Sequence, residues 1–317
     1  MASIAFVFPG QGSQSPGMGA ALAAASPAAA AAFAEADAAL GESISRIAWD
    51  GPPEQLDLTR NAQPALVAAS IAYLEALRER RAAAGLPPLA PAYAAGHSMG
   101  QYSALVAAGS LTLADAVRLV RIRGDLMQAS GAGRPGAMAA LIGLDDARLP
   151  EVVAAGATTG IVTVANRNSP GQVVLSGERP AVEAALAAAK AAGARRAIEL
   201  PVSVAAHSPL MADAAAGMAE ALASIPVADP RPPLLSNAEA APIATADGAR
   251  TELVEHLTRG VDWVAIVERM RADGVDTFIE VGPGKVLTGL IRRIAPDATV
   301  IALDDPAGPG GLAEVSL

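Results

Sequence analysis

The run Gly96-His97-Ser98-Met99-Gly100 sets one serine between two glycines, with the apolar stretch Tyr93-Ala-Ala before it and the helix-forming stretch Gln101-Tyr-Ser-Ala-Leu-Val after it. The spacing G-x-S-x-G describes a nucleophile elbow, in which the glycines let the chain turn tightly enough to push a hydroxyl out at the top of a sheet. The helix that follows aims its N-terminus at the serine, so free backbone N–H groups and the positive end of the dipole favour an oxyanion there. Covalent catalysis by Ser98 is the chemistry this predicts, and it requires a base. A glycine turn that merely packs a helix on a sheet has the same spacing, so the partners must be found elsewhere in the chain.

Three histidines are available. His97 adjoins the serine on a strained turn and is expected to point away from it. His256, beside Glu255 and Thr258, reads as part of a solvated helix face. His207 follows the apolar run Pro201 to Ala206 and reads as the end of a strand, where a sheet delivers catalytic groups to its carboxyl edge. It is therefore the expected base. The chain order of the hydrolases would place an acid between serine and histidine, but Asp115, Asp145 and Asp146 have no claim on the role, and Asp262 comes after His207. A Ser98–His207 dyad steered by a backbone carbonyl is the reading that remains.

Arg123 is the most informative charge. At 100° per residue, Arg118, Arg121, Asp125 and Gln128 share a polar arc, whereas Arg123 falls among Leu119, Val120, Leu126 and Met127. A buried guanidinium needs an anion, which is either an internal carboxylate or the carboxylate of a substrate held by the planar fork. Gln63 stands at an expected helix entrance, just before Pro64, where its amide caps the helix or faces a cleft; capping is the simpler reading. The loop Pro9-Gly10-Gln11-Gly12 fails the dinucleotide fingerprint, because the third glycine would fall on Ser15. It is either a plain turn or a cradle of N–H donors.

These groups need a scaffold, and 317 residues with 52% hydrophobic and 3% aromatic content imply a large core of alanine, valine and leucine. With no cysteine, disulfides, thiolate nucleophiles and sulfur-bound metals are excluded. A net charge of −9 argues against nucleic acid. The start of the chain lacks a basic n-region, and the alanine-rich segment from Ala20 to Leu40 carries Pro27, Glu35 and Asp37, so neither a signal peptide nor a membrane span is expected. A cytoplasmic enzyme is the expectation.

Along the chain, residues 3 to 8 read as a buried strand, and helices are expected at 20–40, 53–58 and 62–84. From Gly136 to Leu200 the pattern becomes strand (137–142), helix (146–155), strand (161–166), strand (172–176), helix (180–192), strand (195–200). That βαββαβ order is ferredoxin-like, and the glycine-rich run from Ser130 to Gly136 marks its entrance. The chain then returns to the main sheet through residues 201–208. Later strands near Leu234, at 277–281 and at 299–303 alternate with helices in α/β fashion, and the turn after Val281 would bring more glycines to the same rim.

Taken in order, Phe8-Pro-Gly-Gln-Gly-Ser-Gln14, Gln63-Pro-Ala-Leu66, Gly96-His-Ser-Met-Gly100, Arg123-Gly124, Asn168-Ser-Pro-Gly-Gln172, His207 and Glu280-Val-Gly-Pro-Gly-Lys-Val-Leu287 resemble the malonyl-CoA:acyl carrier protein transacylases of fatty acid synthesis across nearly the whole chain. The resemblance implies an α/β-hydrolase-like domain, residues 1–133 and 204–317, with a ferredoxin-like subdomain at 134–203. It implies that Ser98 carries the acyl group, that His207 is base and then acid, that the N–H groups of Gln11 and Met99 form the oxyanion hole, and that Arg123 grips the malonyl carboxylate with Gln63 lining the cleft. No bound cofactor is implied: the substrates are malonyl-CoA and the phosphopantetheine of an acidic carrier protein, for which Arg195, Arg196, Arg292 and Arg293 are candidate contacts. Membrane and nucleic acid are not expected as partners.

Two positions depart from the family pattern. Gln101 stands where many relatives have glutamate, and Asp262 precedes Trp263 where relatives often have glutamine, which leaves open whether Asp262 or a backbone carbonyl orients His207. Val204-Ala205-Ala206 matches neither familiar extender-unit pattern, and the small Ala206 suggests tolerance for substituted malonyl groups. The rival readings are a free-standing polyketide synthase acyltransferase of broader tolerance, a serine thioesterase or hydrolase, and a non-catalytic carrier-binding protein.

Overall fold

The computed structural model describes residues 3–133, 136–202 and 204–304. The described strands are β1 (Ile4–Phe8), β2 (Tyr93–Gly96), β3 (Gly136–Ile142), β4 (Val162–Ser169), β5 (Gln172–Glu178), β6 (Arg196–Glu199), β7 (Leu234–Leu235), β8 (Pro242–Ile243), β9 (Val261–Asp262), β10 (Thr277–Glu280) and β11 (Thr299–Ala302). They form two sheets, ordered β11-β10-β1-β2-β7-β8 and β6-β3-β5-β4-β9.

The larger sheet is parallel from β11 to β7, and only β8 runs antiparallel to its neighbour. A parallel sheet is covered on both faces, which is why β1 reads as the unbroken apolar run Ile-Ala-Phe-Val-Phe. Side chains alternate across the pleat. Ile4, Phe6 and Phe8 enter a core built with the helices Pro27–Leu40, Thr59–Ala83, Gly100–Ala107 and Leu113–Gly133. Ala5 and Val7 enter the opposite core, with Phe278, Trp263, Ile266 and Leu287. The smaller sheet has its own core, where Leu141, Val173 and Leu175 meet Val152, Val182 and Ala185 of two helices.

Several expected boundaries move. The segment 20–40 is two helices, Ala20–Ala25 and Pro27–Leu40, because the Ser26 side chain accepts the Ala29 N–H and Pro27 opens a new first turn. The segment 53–58 is a single turn, Pro53–Leu56, and a helix at Ile44–Asp50 was not anticipated. The long helix begins at Thr59 rather than 62, so Pro64 lies inside it. Ser130 to Gly133, expected as an entrance loop, form the last turn of the Leu113–Gly133 helix, and Arg134 and Pro135 lie outside the described residues.

The βαββαβ segment matches its expected elements closely. Its four strands order as β6-β3-β5-β4, each antiparallel to its neighbour. Two short strands were not foreseen: β8 at the edge of the larger sheet, and β9, which from far along the chain adds to β4 in parallel, pairing Asn166 with Val261 and Arg167 with Asp262. The return segment corrects another expectation. The described residues between Pro201 and Ser208 form bends and turns, so His207 ends a loop rather than a strand. Among the described residues, no helix is long and apolar enough to cross a membrane.

Candidate active site

Ser98 sits at the carboxyl end of β2, where Gly96 pairs with Phe8 at the end of β1. Its backbone has φ 53°, in the left-handed region that non-glycine residues rarely enter. The flanking glycines are required by space. A Cβ on Gly96 would lie 1.9 Å from the carbonyl carbon of Gly100, and one on Gly100 would lie 2.3 Å from the Phe8 oxygen. His97 points away as expected, donating from Nε2 to Asn168 Oδ1 at 2.8 Å and packing on Trp263.

The Ser98 hydroxyl meets His207 Nε2 at 2.8 Å. His207 Nδ1 faces two carbonyl oxygens, those of His256 at 2.6 Å and Arg259 at 3.1 Å. Carbonyls only accept, so Nδ1 carries the hydrogen, and Nε2 presents its lone pair to the serine. Burial, and then the nearby Arg123 charge, push the His207 pKa down to about 4, so the ring is neutral and able to take a proton. Backbone carbonyls therefore orient the base. Asp262 does not: its carboxylate accepts the Ala265 N–H at 2.9 Å and caps the Trp263–Ala272 helix.

Arg123 occupies the buried face that its helical spacing predicts, at 1% exposure. Its Nη2 donates to Ser98 Oγ at 3.2 Å, while Nε has no partner. Among the described residues no carboxylate pairs with it, so of the two anions considered above the internal one is absent. Gly124 makes this placement possible, because a Cβ there would come within 2.7 Å of the Arg60 backbone on the facing helix. Arg121, expected on the polar arc, is also buried, where it pairs with Glu42 and donates to Asn61 at 2.7 Å.

The loop after β1 lies against the elbow: the His97 N–H donates to Phe8, and a Cβ on Gly10 would meet the His97 oxygen at 2.5 Å. Met99 follows the serine directly and Gln11 follows the glycine that meets the elbow, and neither N–H donates to a backbone carbonyl in the described turns. Gln11 also reaches Thr59 through its side chain at 3.3 Å. The glycine turn after β10 joins the same rim, since Gly282 packs on Pro9. Gln63 caps nothing. It is fully buried on the inner face of its helix, donating to Met127 Sδ at 3.7 Å and leaving Oε1 without a partner.

The arginines named as a surface patch are all exposed, and the small sheet brings two of them toward one end. Arg196 pairs with Ile142, Ile142 with Gln172, and Arg293 donates to Gln172 at 2.8 Å. Arg195 packs beside Gly143, and Arg292 reaches Val300 O at 3.5 Å. Among the described residues no group of His, Asp or Glu side chains is arranged to hold a metal ion.

Two parts of the site were not foreseen. His256, expected in solvent, is 1% exposed and packs on Tyr102 and His207 with ring centroids 6.2 Å away in each case. The signal was present: Ala249, Glu252, Leu253 and His256 fall at i, i+3, i+4 and i+7, a buried stripe. Asn237 had no such signal. Its side chain accepts the Ser98 N–H at 2.8 Å and donates to Gly96 O at 2.9 Å, across 139 and 141 residues of sequence.

The profile of the acyl transferase domain matches residues 5–302. The malonyl CoA-acyl carrier protein transacylase of Escherichia coli strain K12 is 46% identical over 315 residues, covering 99% of this chain and all of that protein. The structure of the malonyl CoA-acyl carrier protein transacylase from Coxiella burnetii superposes with a TM-score of 0.91 at 39% identity, covering 96% of this chain and 94% of the other. A malonyl-transacylase solved in complex with a type II polyketide synthase acyl-carrier protein superposes at 0.90 with 43% identity, covering 96% and 97%.

Proposed function

This chain belongs to the acyl transferase family, and from that premise we infer that it moves a malonyl group from coenzyme A to the phosphopantetheine thiol of an acyl carrier protein, as an [acyl-carrier-protein] S-malonyltransferase of fatty acid synthesis. One observation carries the reading: the Ser98 hydroxyl lies between a neutral imidazole at 2.8 Å and a buried guanidinium at 3.2 Å that has no carboxylate partner among the described residues. A hydrolase needs the first contact, and only a carboxylated acyl group needs the second.

In the proposed cycle Ser98 Oγ attacks the thioester carbonyl of malonyl-CoA while His207 Nε2 takes the hydroxyl proton. The carbonyl oxygen becomes an oxyanion received by the N–H groups of Gln11 and Met99. The C–S bond then breaks, and His207 returns the proton to the departing coenzyme A sulfur. In the second half the pantetheine thiol gives its proton to His207 and attacks the seryl ester. The C–O bond breaks, and Ser98 regains its proton. Arg123 holds the distal carboxylate throughout, and Gln63 lines the cleft. Acetyl groups would leave the guanidinium unpaired, a loss of roughly 2–5 kcal/mol.

We read residues 1–133 and 204–317 as an α/β-hydrolase-like domain built on the larger sheet, with β9 lent to the smaller one, and 134–203 as a ferredoxin-like subdomain, in a protein that works in the cytoplasm. Arg195, Arg196, Arg292 and Arg293 are the proposed contacts for the acidic carrier protein. The test is intact-protein mass spectrometry after brief exposure to malonyl-CoA. A malonyl ester on Ser98 that persists in water and discharges onto a pantetheine thiol is expected. Rapid discharge to water would instead mark a thioesterase.

A further inference from the structure

The groups that grip the serine's turn and the carbonyl that grips the imidazole hang from one turn of one helix. Glu252 and His256 lie four residues apart at the end of the Ala246–Glu255 helix, joined by a hydrogen bond from the His256 N–H to the Glu252 carbonyl at 3.0 Å. The His256 carbonyl holds His207 Nδ1. One carboxylate oxygen of Glu252 accepts both the Asn237 N–H at 2.7 Å and Gln101 Nε2 at 2.9 Å. Asn237 in turn holds Ser98 N and Gly96 O. Gln101 accepts the Gly96 N–H at 3.0 Å and gives its other amide hydrogen to Leu235 O at 2.9 Å.

We propose that Glu252 is a positioning residue for the acyl transfer reaction: through Asn237 and Gln101 it fixes the Ser98 turn to the same helical turn whose carbonyl fixes His207, and so sets the distance between nucleophile and base. Glu252 is 8% exposed and no ion pair reaches it among the described residues, so what it does in the fold is accept from two buried donors, both of which belong to the support of the Ser98 turn. Burial raises the Glu252 pKa, and in either protonation state its Oε1 does what an apolar group cannot, accepting two hydrogen bonds at once. The turn it holds is strained at Ser98, and such a conformation persists only where its surroundings over-determine it.

The inference rests on the function proposed above, so two readouts are used. One is steady-state malonyl transfer from malonyl-CoA to a pantetheine thiol, and the other is the rate at which a fluorophosphonate labels Ser98, which requires no malonyl chemistry. Glu252→Ala should lower kcat about 10²-fold and slow labelling in proportion, with KM for malonyl-CoA within about two-fold, because the reacting atoms are misplaced while the binding groups stay. Glu252→Gln, which keeps an accepting oxygen, should recover most of both losses. A folded Glu252→Ala protein with wild-type kcat and labelling overturns the proposal.

Should Glu252→Ala fail to fold, Gln101→Glu sets two carboxylates against each other, and the pair Gln101→Glu with Glu252→Gln relieves that repulsion. Both proteins lose the donor to Leu235 O, so their difference isolates the Glu252 contact. The double variant is expected to exceed the single by about tenfold in both readouts, and equal rates overturn the proposal. A wild-type protein that labels fast and transfers no malonyl group would instead sink the proposed function and leave the positioning role standing.

Discussion

The turn around Ser98 is held from both flanks: Asn237 takes the serine N–H and the Gly96 carbonyl, and Gln101 takes the Gly96 N–H. The surroundings of Arg123 are the reverse. Its own Nε, the Tyr102 hydroxyl, both ring nitrogens of His256 and Gln63 Oε1 are buried without partners among the described residues. Burial pushes the Tyr102 pKa up to about 12 and holds the Arg123 and His256 values below their ordinary ranges, so these three groups are disfavoured in their charged forms. One region is complete without substrate, as chemistry that must not reorganise requires. The other is incomplete among the described residues, and in the proposed reaction an incoming carboxylate completes it. On the proposed function, reactivity and selection are built by opposite means a few ångströms apart.

The sharpest way to break the complete region is to remove its reacting groups. Ser98→Ala or His207→Ala should each cost at least about 10⁴-fold in kcat/KM for malonyl transfer, measured by release of coenzyme A. Altering the turn should cost stability instead. Gly96→Ala places a Cβ inside the Gly100 backbone, and a loss above roughly 3 kcal/mol is expected in urea unfolding.

The incomplete region should respond in the opposite sense. Arg123→Met removes an unpaired buried cation, so the protein is expected to gain roughly 1–2 kcal/mol in thermal unfolding while losing about 10²–10³-fold in malonyl kcat/KM. The same substitution sharpens the electrostatic link between the regions. The free-enzyme acid limb of kcat/KM should lie near pH 4, the value to which burial and Arg123 bring His207. Without the Arg123 charge that limb should move upward, yet stay below the ordinary histidine value, because burial is the larger cause.

Stability follows with a definite sign. The folded pKa of His207 lies below its unfolded value, and those of His97 and His256 are lowered too, so the unfolded chain binds more protons in acid. Stability present above about pH 6.5 is therefore lost as pH falls toward 4, with His207 contributing on the order of 3 kcal/mol. The smallest effect belongs to the surface: Arg196→Ala with Arg293→Ala should raise KM for the carrier protein a few-fold, more at low salt, and leave KM for malonyl-CoA unchanged.

The same contrast explains what the chain revealed before its fold was known. Ser98 and Arg123 were legible because local periodicity places them: two glycines force a turn, and a charge on an apolar arc must be buried. His207 was reached by elimination, although the strand expected to carry it is a loop that no period of two describes. Asn237 and Glu252 were invisible because their partners on the Ser98 turn and its helix lie 139 to 151 residues away, and an isolated asparagine or helical glutamate looks like solvated surface. His256 was misread because its polar neighbours outweighed a buried stripe that the spacing did contain. Long-range hydrogen bonds leave no periodic trace, so the support of the site was hidden where its reacting atoms were not.

Comparing kcat/KM for malonyl-CoA and acetyl-CoA, in the wild type and in Arg123→Met, tests most directly whether an unpaired guanidinium beside the serine selects the acyl group. A wild-type preference for malonyl of about 10²-fold or more that collapses in the variant, with acetyl turnover retained or raised, is the predicted result. Equal use of the two thioesters by the wild type, or a preference that survives the loss of Arg123, would contradict it.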